Sequence, residues 1–459
     1  MNERPAKLYP VAPDFEDNHP LVRLSALELG ARIAEGTLRS QELVAHALAR
    51  ITRHNPTLQA MVHIAGARAM KAAEKADRER DQGRLRGPLH GVPTSVKDHH
   101  NMAFARSRMG SHAFDWLYSP VDDTLVRRLG RAGMVVLGKT SMSELGILPT
   151  VEPPVHPPTR NPWNTGHTAG GSSGGAGSGI AAGFFPVAQG SDGAGSIRIP
   201  SALCGLVGLK PTRGIVPDEA AAARVNIFGL AVDGPMGRSI DDVATMLDTM
   251  AGTPAARTLL ASRQSVGRLR IGVTLDAPFG QPDPRIMAMV EQAAAQLQAL
   301  GHTLVPRTTP QQGVEAFLPL YQRFVSRIPM PTAHRLGPFA RWFHDEGRRI
   351  STAEAWRLFR HFEHLGATLA ADIDVMLAPS VAVPTPRIGQ WAHLPPREHF
   401  DAAATLGMFT ALANVTGQPA LHLPRGLVDG LPAGIQLVGA HHHDARLLAL
   451  ARQLEEAGE

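Results

Sequence analysis

The chain has 459 residues, 43% of them hydrophobic and 19% charged, with a formal charge of +5 at neutral pH. That balance belongs to a folded globular protein and excludes a disordered chain, and no apolar run approaches the roughly 18–20 residues that a membrane-spanning helix needs. The 46 basic and 41 acidic residues are interspersed and there are only three Tyr, so the basic, aromatic footprint of a nucleic-acid binder is missing.

The first twenty residues, MNERPAKLYPVAPDFEDNHP, are polar and lack the apolar stretch of a secretory signal, which makes a cytoplasmic location the expectation. A single cysteine, Cys204, precludes an internal disulfide. It lies in the apolar run SALCGLVG and reads as an inert buried thiol rather than a nucleophile.

In chain order, Ser25 and Glu28 have capping-box spacing, and after Ser40 the apolar residues Leu43, Ala47, Leu48 and Ile51 recur at helical intervals. GVPTSV (91–96) predicts a strand, TLVRRLGRAG (124–133) a helix and MVVLGK (134–139) a second strand. LPTVEPPVHPPTRNP (148–162) is too rich in proline for a regular element and predicts a stiff loop. The alternation resumes at LRIGVTLD (269–276), IMAMVEQAAAQLQALG (286–301), DVMLAPS (374–380) and GIQLVG (434–439). Residues 311–370 mix aromatics, prolines and basic residues and read as a helical insertion or cap. Strands alternating with amphipathic helices predict an α/β fold around a central sheet. In AHHHDAR (440–446), three adjacent histidines cannot face one ion from a regular element, and Asp444 is expected to cap the following helix.

The stretch 168–205, TAGGSSGGAGSGIAAGFFPVAQGSDGAGSIRIPSALCG, carries eleven glycines. A flexible linker would be polar, whereas IAAGFFPVA and SIRIPSALCG are core-type runs. A phosphate-binding loop requires a Gly-Lys-Ser/Thr ending that neither GGSSGG nor GSDGAGS supplies. The remaining reading is catalytic. Ser172 and Ser196 each sit among glycines that permit unusual backbone shapes, and the run Gly193-Ala194-Gly195-Ser196 can aim several N–H groups at one developing oxyanion. A serine needs a base, and none of the 21 histidines lies in a recognisable pairing with either one. Lys97, at the end of the strand GVPTSV, becomes the candidate base, provided burial keeps it neutral.

These are also the residues on which the chain resembles the amidase signature hydrolases. GVPTSVKD (91–98), GKTSMSELG (138–146), NPWN (161–164), GGSSGG (170–175), GSDGAGSIRIPSALCGLVGLKPT (190–212), DGPMGRS (233–239) and ANVTGQPALHLPRG with GLPAGIQLVG (413–439) carry the likeness from about residue 24 to the end, thinning between about 255 and 370. The resemblance implies one large α/β domain spanning 1–459, with a central mixed sheet covered by helices on both faces. Residues 24–250 and 371–459 would hold the catalytic motifs, and 255–370 would be a variable region including a substrate cap. It implies a Ser, cis-Ser, Lys triad of Ser196, Ser172 and Lys97. In the family pattern the two serines lie 24 positions apart, so the resemblance implies Ser172 rather than Ser173 as the bridging residue, with the cis bond after Gly171. The oxyanion would rest on the N–H groups of Gly193, Ala194, Gly195 and Ser196, with Ser173, Asp192 and Arg198 supporting the turn. Neither a metal nor an organic cofactor is required.

Two departures from the family pattern stand out: Ala194 in the usual Gly-Gly pair before the nucleophile, and His99-His100 after VKD, expected to act structurally. The substrate walls are expected in the loop 148–160 and the segment 311–345, through Leu148, Val151, Val155, Leu318, Tyr321, Phe324, Met330, Phe339 and Trp342. Such walls favour hydrophobic amides, anilides or carbamates, the substrates of the aryl-amide, nylon-oligomer and urethane branches the chain resembles. The expected partner is that small molecule, with no nucleic acid and no membrane, bound by a monomer or homodimer. The competing readings are the glutamine-hydrolysing subunit of a tRNA-dependent amidotransferase and a non-catalytic binding protein on the same fold. Against the former, Leu406-Gly407-Met408 lacks the carboxylate that a zwitterionic substrate calls for.

Overall fold

The strand-like runs assemble into two main sheets, beside two short two-stranded ribbons. The computed structural model describes residues 11–15, 19–218, 226–253, 257–309 and 314–457, so most of the polar N-terminal stretch and residues 311–313 of the cap lie outside the described residues. The smaller sheet comprises β1 (Met61–Ile64), β2 (Pro93–Lys97) and β3 (Val135–Thr140). β3 is central, parallel to β2 and antiparallel to β1.

The larger sheet holds β4 (Val187–Asp192), β5 (Val207–Lys210), β6 (Val232–Gly237), β7 (Arg270–Val273), β8 (Thr303–Pro306), β9 (Val375–Pro379), β10 (Ala420–Val428) and β11 (Leu431–Gly439) in the spatial order β8-β7-β9-β11-β10-β5-β6-β4. Pairing is parallel on either side of β7 and antiparallel from β9 to β4, so the sheet is mixed. β7 and β8 come from the stretch expected to vary, which therefore contributes an edge of the sheet as well as a cap. The two sheets meet where β2 lies beside β4. Thr94 Oγ1 donates to the Val187 carbonyl (3.0 Å), and the Lys97 N–H donates to Gln189 Oε1 (2.8 Å).

Helices pack on the sheets or form the cap, most of them through one apolar face. They are α1 (Ala26–Glu35), α2 (Ser40–Leu58), α3 (Gly66–Asp81), α4 (Thr124–Arg131), α5 (Gly174–Ala181), α6 (Arg198–Cys204), α7 (Ile240–Ala251), α8 (Pro284–Ala299), α9 (Val314–Val325), α10 (Pro338–Arg349), α11 (Thr352–Leu369), α12 (Pro396–Ala404), α13 (Ala411–Thr416) and α14 (Asp444–Ala457). The capping box is present at α1, where Ser25 Oγ accepts from the Glu28 N–H and the Glu28 carboxylate accepts from the Ser25 N–H. α5 is a helix of small residues, GGAGSGIA, buried on every side.

One sequence expectation is corrected at α14. Asp444 is not the cap but the first helical residue, and its buried carboxylate accepts from the Thr212 N–H (2.8 Å) and hydroxyl (2.7 Å), pinning the KPT turn to the helix. Cys204 is buried, and burial pushes its thiol well above the usual range, in keeping with an inert group.

Candidate active site

Lys97 is the last residue of β2 and Asp192 the last of β4, so neighbouring strand ends bring Lys97 and the start of the serine turn to one place. Lys97 is fully buried. Its Nζ lies 2.7 Å from Ser172 Oγ and 2.8 Å from Ser191 Oγ. Its sequence neighbour Asp98 pairs instead with Lys139 (2.7 Å), which leaves Lys97 in the company of hydroxyls. Burial pushes the Lys97 ammonium down to about 7, against smaller opposing pulls from Asp233 and Asp192. Near neutral pH a large fraction of this amine is therefore unprotonated.

Ser172 enters through a cis peptide bond from Gly171. A Cβ at Gly171 would stand 2.8 Å from the Pro149 and Thr150 backbones, so the proline-rich loop closes against this glycine and tolerates no side chain there. Ser173 fastens the two glycine-rich segments together: its N–H donates to the Ser196 carbonyl (3.2 Å), and its hydroxyl donates to the Ser191 carbonyl (3.1 Å).

The turn from β4 to α6 is organised by the buried Asp192 carboxylate. It accepts from the Gly195 N–H (2.6 Å), the Ile197 N–H (3.2 Å), Arg198 Nε and Nη2 (3.0 Å each) and Asn414 Nδ2 (2.9 Å). The Arg198 guanidinium beside it, itself fully buried, holds Asp192 well below the usual carboxylate range despite burial. Arg198 also donates to Gln436 (3.0 Å) and Asn414 (2.7 Å), linking the turn to β11 and α13. The ion pair is thus a scaffold, as the sequence suggested. The Gly195 N–H is committed to this scaffold, whereas those of Gly193, Ala194 and Ser196 take no part in the Asp192 cluster.

The left-handed backbone falls on Gly195 (φ +125°) and not on Ala194. A Cβ at Gly195 would sit 2.3 Å from Thr410 Oγ1, while the Ala194 methyl has room and its carbonyl accepts from that same hydroxyl (2.5 Å). The departure at position 194 therefore carries no backbone penalty.

Ser196 is nearly buried and lines one wall of a cavity that contains roughly 1000 Å³ of non-protein space, its mouth included. The other walls are Ile147 and Pro149 from the proline-rich loop, Phe317 and Tyr321 from α9, Phe362 and Leu365 from α11, and a run from Phe400 to Val415. Among the described residues no charged side chain lines it. Of the nine wall residues expected from sequence, only Tyr321 is in the lining. Leu318, Phe324, Met330, Phe339 and Trp342 pack instead into the cap's own core, because an inserted helical unit must bury its apolar faces before it can wall a pocket. Phe362, Leu365 and Met408 were not signalled, since nothing in their spacing distinguishes a cavity wall from a core.

A model of the amidase family matches residues 42–448. The chain belongs to the amidase signature family. This amidase is 37% identical to the putative amidase AmiB2 of Mycobacterium tuberculosis over 93% of its own length and 94% of that protein. It is 32% identical to the acylamidase of Rhodococcus erythropolis, over 94% and 95% of the two chains. The solved structure of 6-aminohexanoate cyclic dimer hydrolase complexed with substrate superposes with a TM-score of 0.86 at 29% identity, covering 96% of this chain and 98% of that one.

Around Lys97 the amidase carries a second buried network that sequence reading did not assemble. Gln189 accepts from the Lys97 N–H and donates to Asp233 Oδ1 (2.8 Å). His100 bridges Asp233 Oδ2 (3.0 Å) and Asp123 Oδ2 (3.3 Å), and His99 Nε2 lies 3.3 Å from Asp233 Oδ1. For His100, burial is outweighed by the two carboxylates, which raise it to about 9; for His99, burial and the neighbouring His100 lower it to about 4. His99, His100 and Asp233 offer one ligand atom each within 4.8 Å, a set able to hold a metal ion; here those atoms are engaged with one another. Among the described residues no helix is long and apolar enough to cross a membrane.

Proposed function

We propose that this amidase cleaves C–N bonds in hydrophobic amides, anilides or carbamates through Ser196 as nucleophile, Ser172 as proton bridge and Lys97 as base. The observation that carries the reading is a buried lysine, poised near neutrality and 2.7 Å from Ser172 Oγ, beside a cavity that Ser196 lines and whose described lining residues are uncharged. A neutral amine has two N–H donors and one lone pair. With one N–H directed at Ser191 Oγ, the lone pair is available to the Ser172 hydroxyl.

In the proposed sequence, Ser196 Oγ attacks the carbonyl carbon as its proton passes to Ser172 and the Ser172 proton to Lys97. The N–H groups of Gly193, Ala194 and Ser196, which the Asp192 cluster leaves alone, receive the oxyanion. Ser172 then protonates the departing nitrogen and is reprotonated by Lys97. Water attacks the acyl-enzyme by the same relay in reverse, releasing acid and free Ser196. The uncharged lining weighs against the glutamine-hydrolysing reading, because a zwitterionic substrate desolvated there finds no counter-charge.

The test is a hydrolysis panel of matched p-nitroanilide, aliphatic amide, N-aryl carbamate and ester substrates for the wild type and the Ser196→Ala, Ser172→Ala and Lys97→Ala variants. Wild-type turnover lost in all three variants is expected. Full activity in Ser196→Ala would overturn the mechanism, and the wild-type ranking assigns the substrate class.

A further inference from the structure

A second cavity lies directly behind the first. It contains roughly 820 Å³ of non-protein space, mouth included, between the C-terminal end of α11, the strands β9 and β11, and α13. Thr309, Met408 and Leu412 line both cavities, so the two are separated by a septum one side chain thick. Beyond the septum the walls are again apolar, among them Leu369, Ala370, Ile373 and Val438. Asp374 is the one charged residue among the described residues of the lining, and it also borders an open surface depression with Arg270 and Asp372, so the second cavity ends toward solvent.

We infer that the second cavity is a binding compartment for the far end of a long, unbranched apolar chain on the substrate whose carbonyl sits at Ser196. This rests on the reading of Ser196 as the nucleophile. Three observations select that occupant. The compartment adjoins the nucleophile's cavity across Thr309, Met408 and Leu412, so a substrate chain that runs from Ser196 into it must pass beside Met408 and must be narrow. Its inner walls are mostly apolar, and the polar side chains among them are engaged, Gln418 with the Gly439 carbonyl (3.1 Å), Gln436 with the Phe409 carbonyl (2.6 Å) and Thr274 with Thr309 (2.6 Å), so they stabilise methylenes better than polar groups. Met408 is unbranched, with three rotatable side-chain bonds, and its terminal methyl faces the side-chain-free Gly280, so it can change rotamer without displacing a helix. The solvent-facing end at Asp374, already paired with Arg446 (3.5 Å), would leave a polar terminus of such a chain in water.

The test compares straight-chain acyl p-nitroanilides from butanoyl to hexadecanoyl in the wild type and in Ala370→Trp and Val438→Trp, two variants that fill the second cavity without touching the first. In the wild type kcat/KM is expected to keep rising into the longer chains. In both variants the butanoyl substrate should stay within about twofold of wild type, while the dodecanoyl substrate loses about tenfold or more, the equivalent of two to three methylenes kept in water. Alkyl fluorophosphonates of matched lengths, with Ser196 labelling followed by intact mass, provide a readout that requires only the nucleophile. Equal losses for short and long chains in folded variants, or a wild-type preference that stops at the shortest chains, would overturn the compartment and leave the nucleophile reading intact. Absence of both turnover and labelling in the wild type would overturn the nucleophile reading, and this inference with it.

Discussion

The region around Lys97, Ser172 and Ser196 and the cap that faces it are built on opposite rules. In the first, nearly every polar atom has a named partner: Asp192 alone gathers N–H groups from Gly195, Ile197, Arg198 and Asn414. In the second, aromatic side chains meet edge to face, as Tyr321 does with Phe343 and Phe317 with Phe362, and shape is set by packing. Directional bonds over short distances fix atoms, as chemistry requires. Packing tolerates exchange of one apolar residue for another of similar volume, and this is where a substrate preference can change without loss of the fold.

The largest contrast should appear in catalysis. Ser196→Ala is expected to lower kcat on the order of 10⁴- to 10⁶-fold with an unchanged thermal midpoint, read by p-nitroanilide release and calorimetry. A loss of under tenfold would remove Ser196 from the chemistry.

Stability comes next. Arg198→Ala leaves Asp192 buried and unpaired and should cost about 3–5 kcal/mol in urea unfolding. A cost below about 1 kcal/mol would mean that the scaffold is held by the Asn414 bonds instead.

A finer test sets two neighbours against each other. Gly195→Ala places a Cβ on Thr410 at a left-handed φ and should cost at least about 1–3 kcal/mol, whereas Ala194→Gly should cost no more than about 1 kcal/mol. Equal costs would show that the turn relaxes freely.

For pH, the proposed mechanism uses the neutral form of Lys97, so kcat/KM on an uncharged substrate should rise with pH and level off above about 7, falling about tenfold per unit below it. Asp233 favours the charged form of Lys97, so Asp233→Asn should move that limb to lower pH. An unmoved limb would confine the Gln189–Asp233–His100 network to a packing role.

The smallest effect is expected in the cap. Phe362→Leu should raise KM for bulky anilides a few-fold, roughly the value of a methylene or two, while butanoyl amides stay unchanged. A change in kcat on the small substrates would tie the wall to the chemistry.

Legibility followed the same division. Lys97, Ser172 and Ser196 could be singled out because glycine-flanked serines and a strand-end lysine leave short motifs; the structure places Lys97 Nζ 2.7 Å from Ser172 Oγ and Ser196 in the cavity wall. The Asp192–Arg198 support was legible for the same reason. Ser191, Gln189, Asp233 and Asn414 were not, since each becomes a neighbour of Lys97 or Asp192 only across strands or helices far apart in the chain. The expected wall of Leu318, Met330, Phe339 and Trp342 misled because an apolar residue in a core and one in a cavity wall look alike until the helices are packed.

The sequence by itself determined the alternation of strands and helices, the family and the short motifs that carry Lys97, Ser172 and Ser196, because periodicity and short motifs are local properties of the chain. Only the tertiary structure decided that the left-handed turn falls on Gly195 and leaves Ala194 unstrained, that Asp98 pairs with Lys139 and leaves Lys97 among hydroxyls, and that a second cavity adjoins the first. Each of these depends on atoms brought together by folding, where burial and contact, rather than spacing along the chain, set the energies.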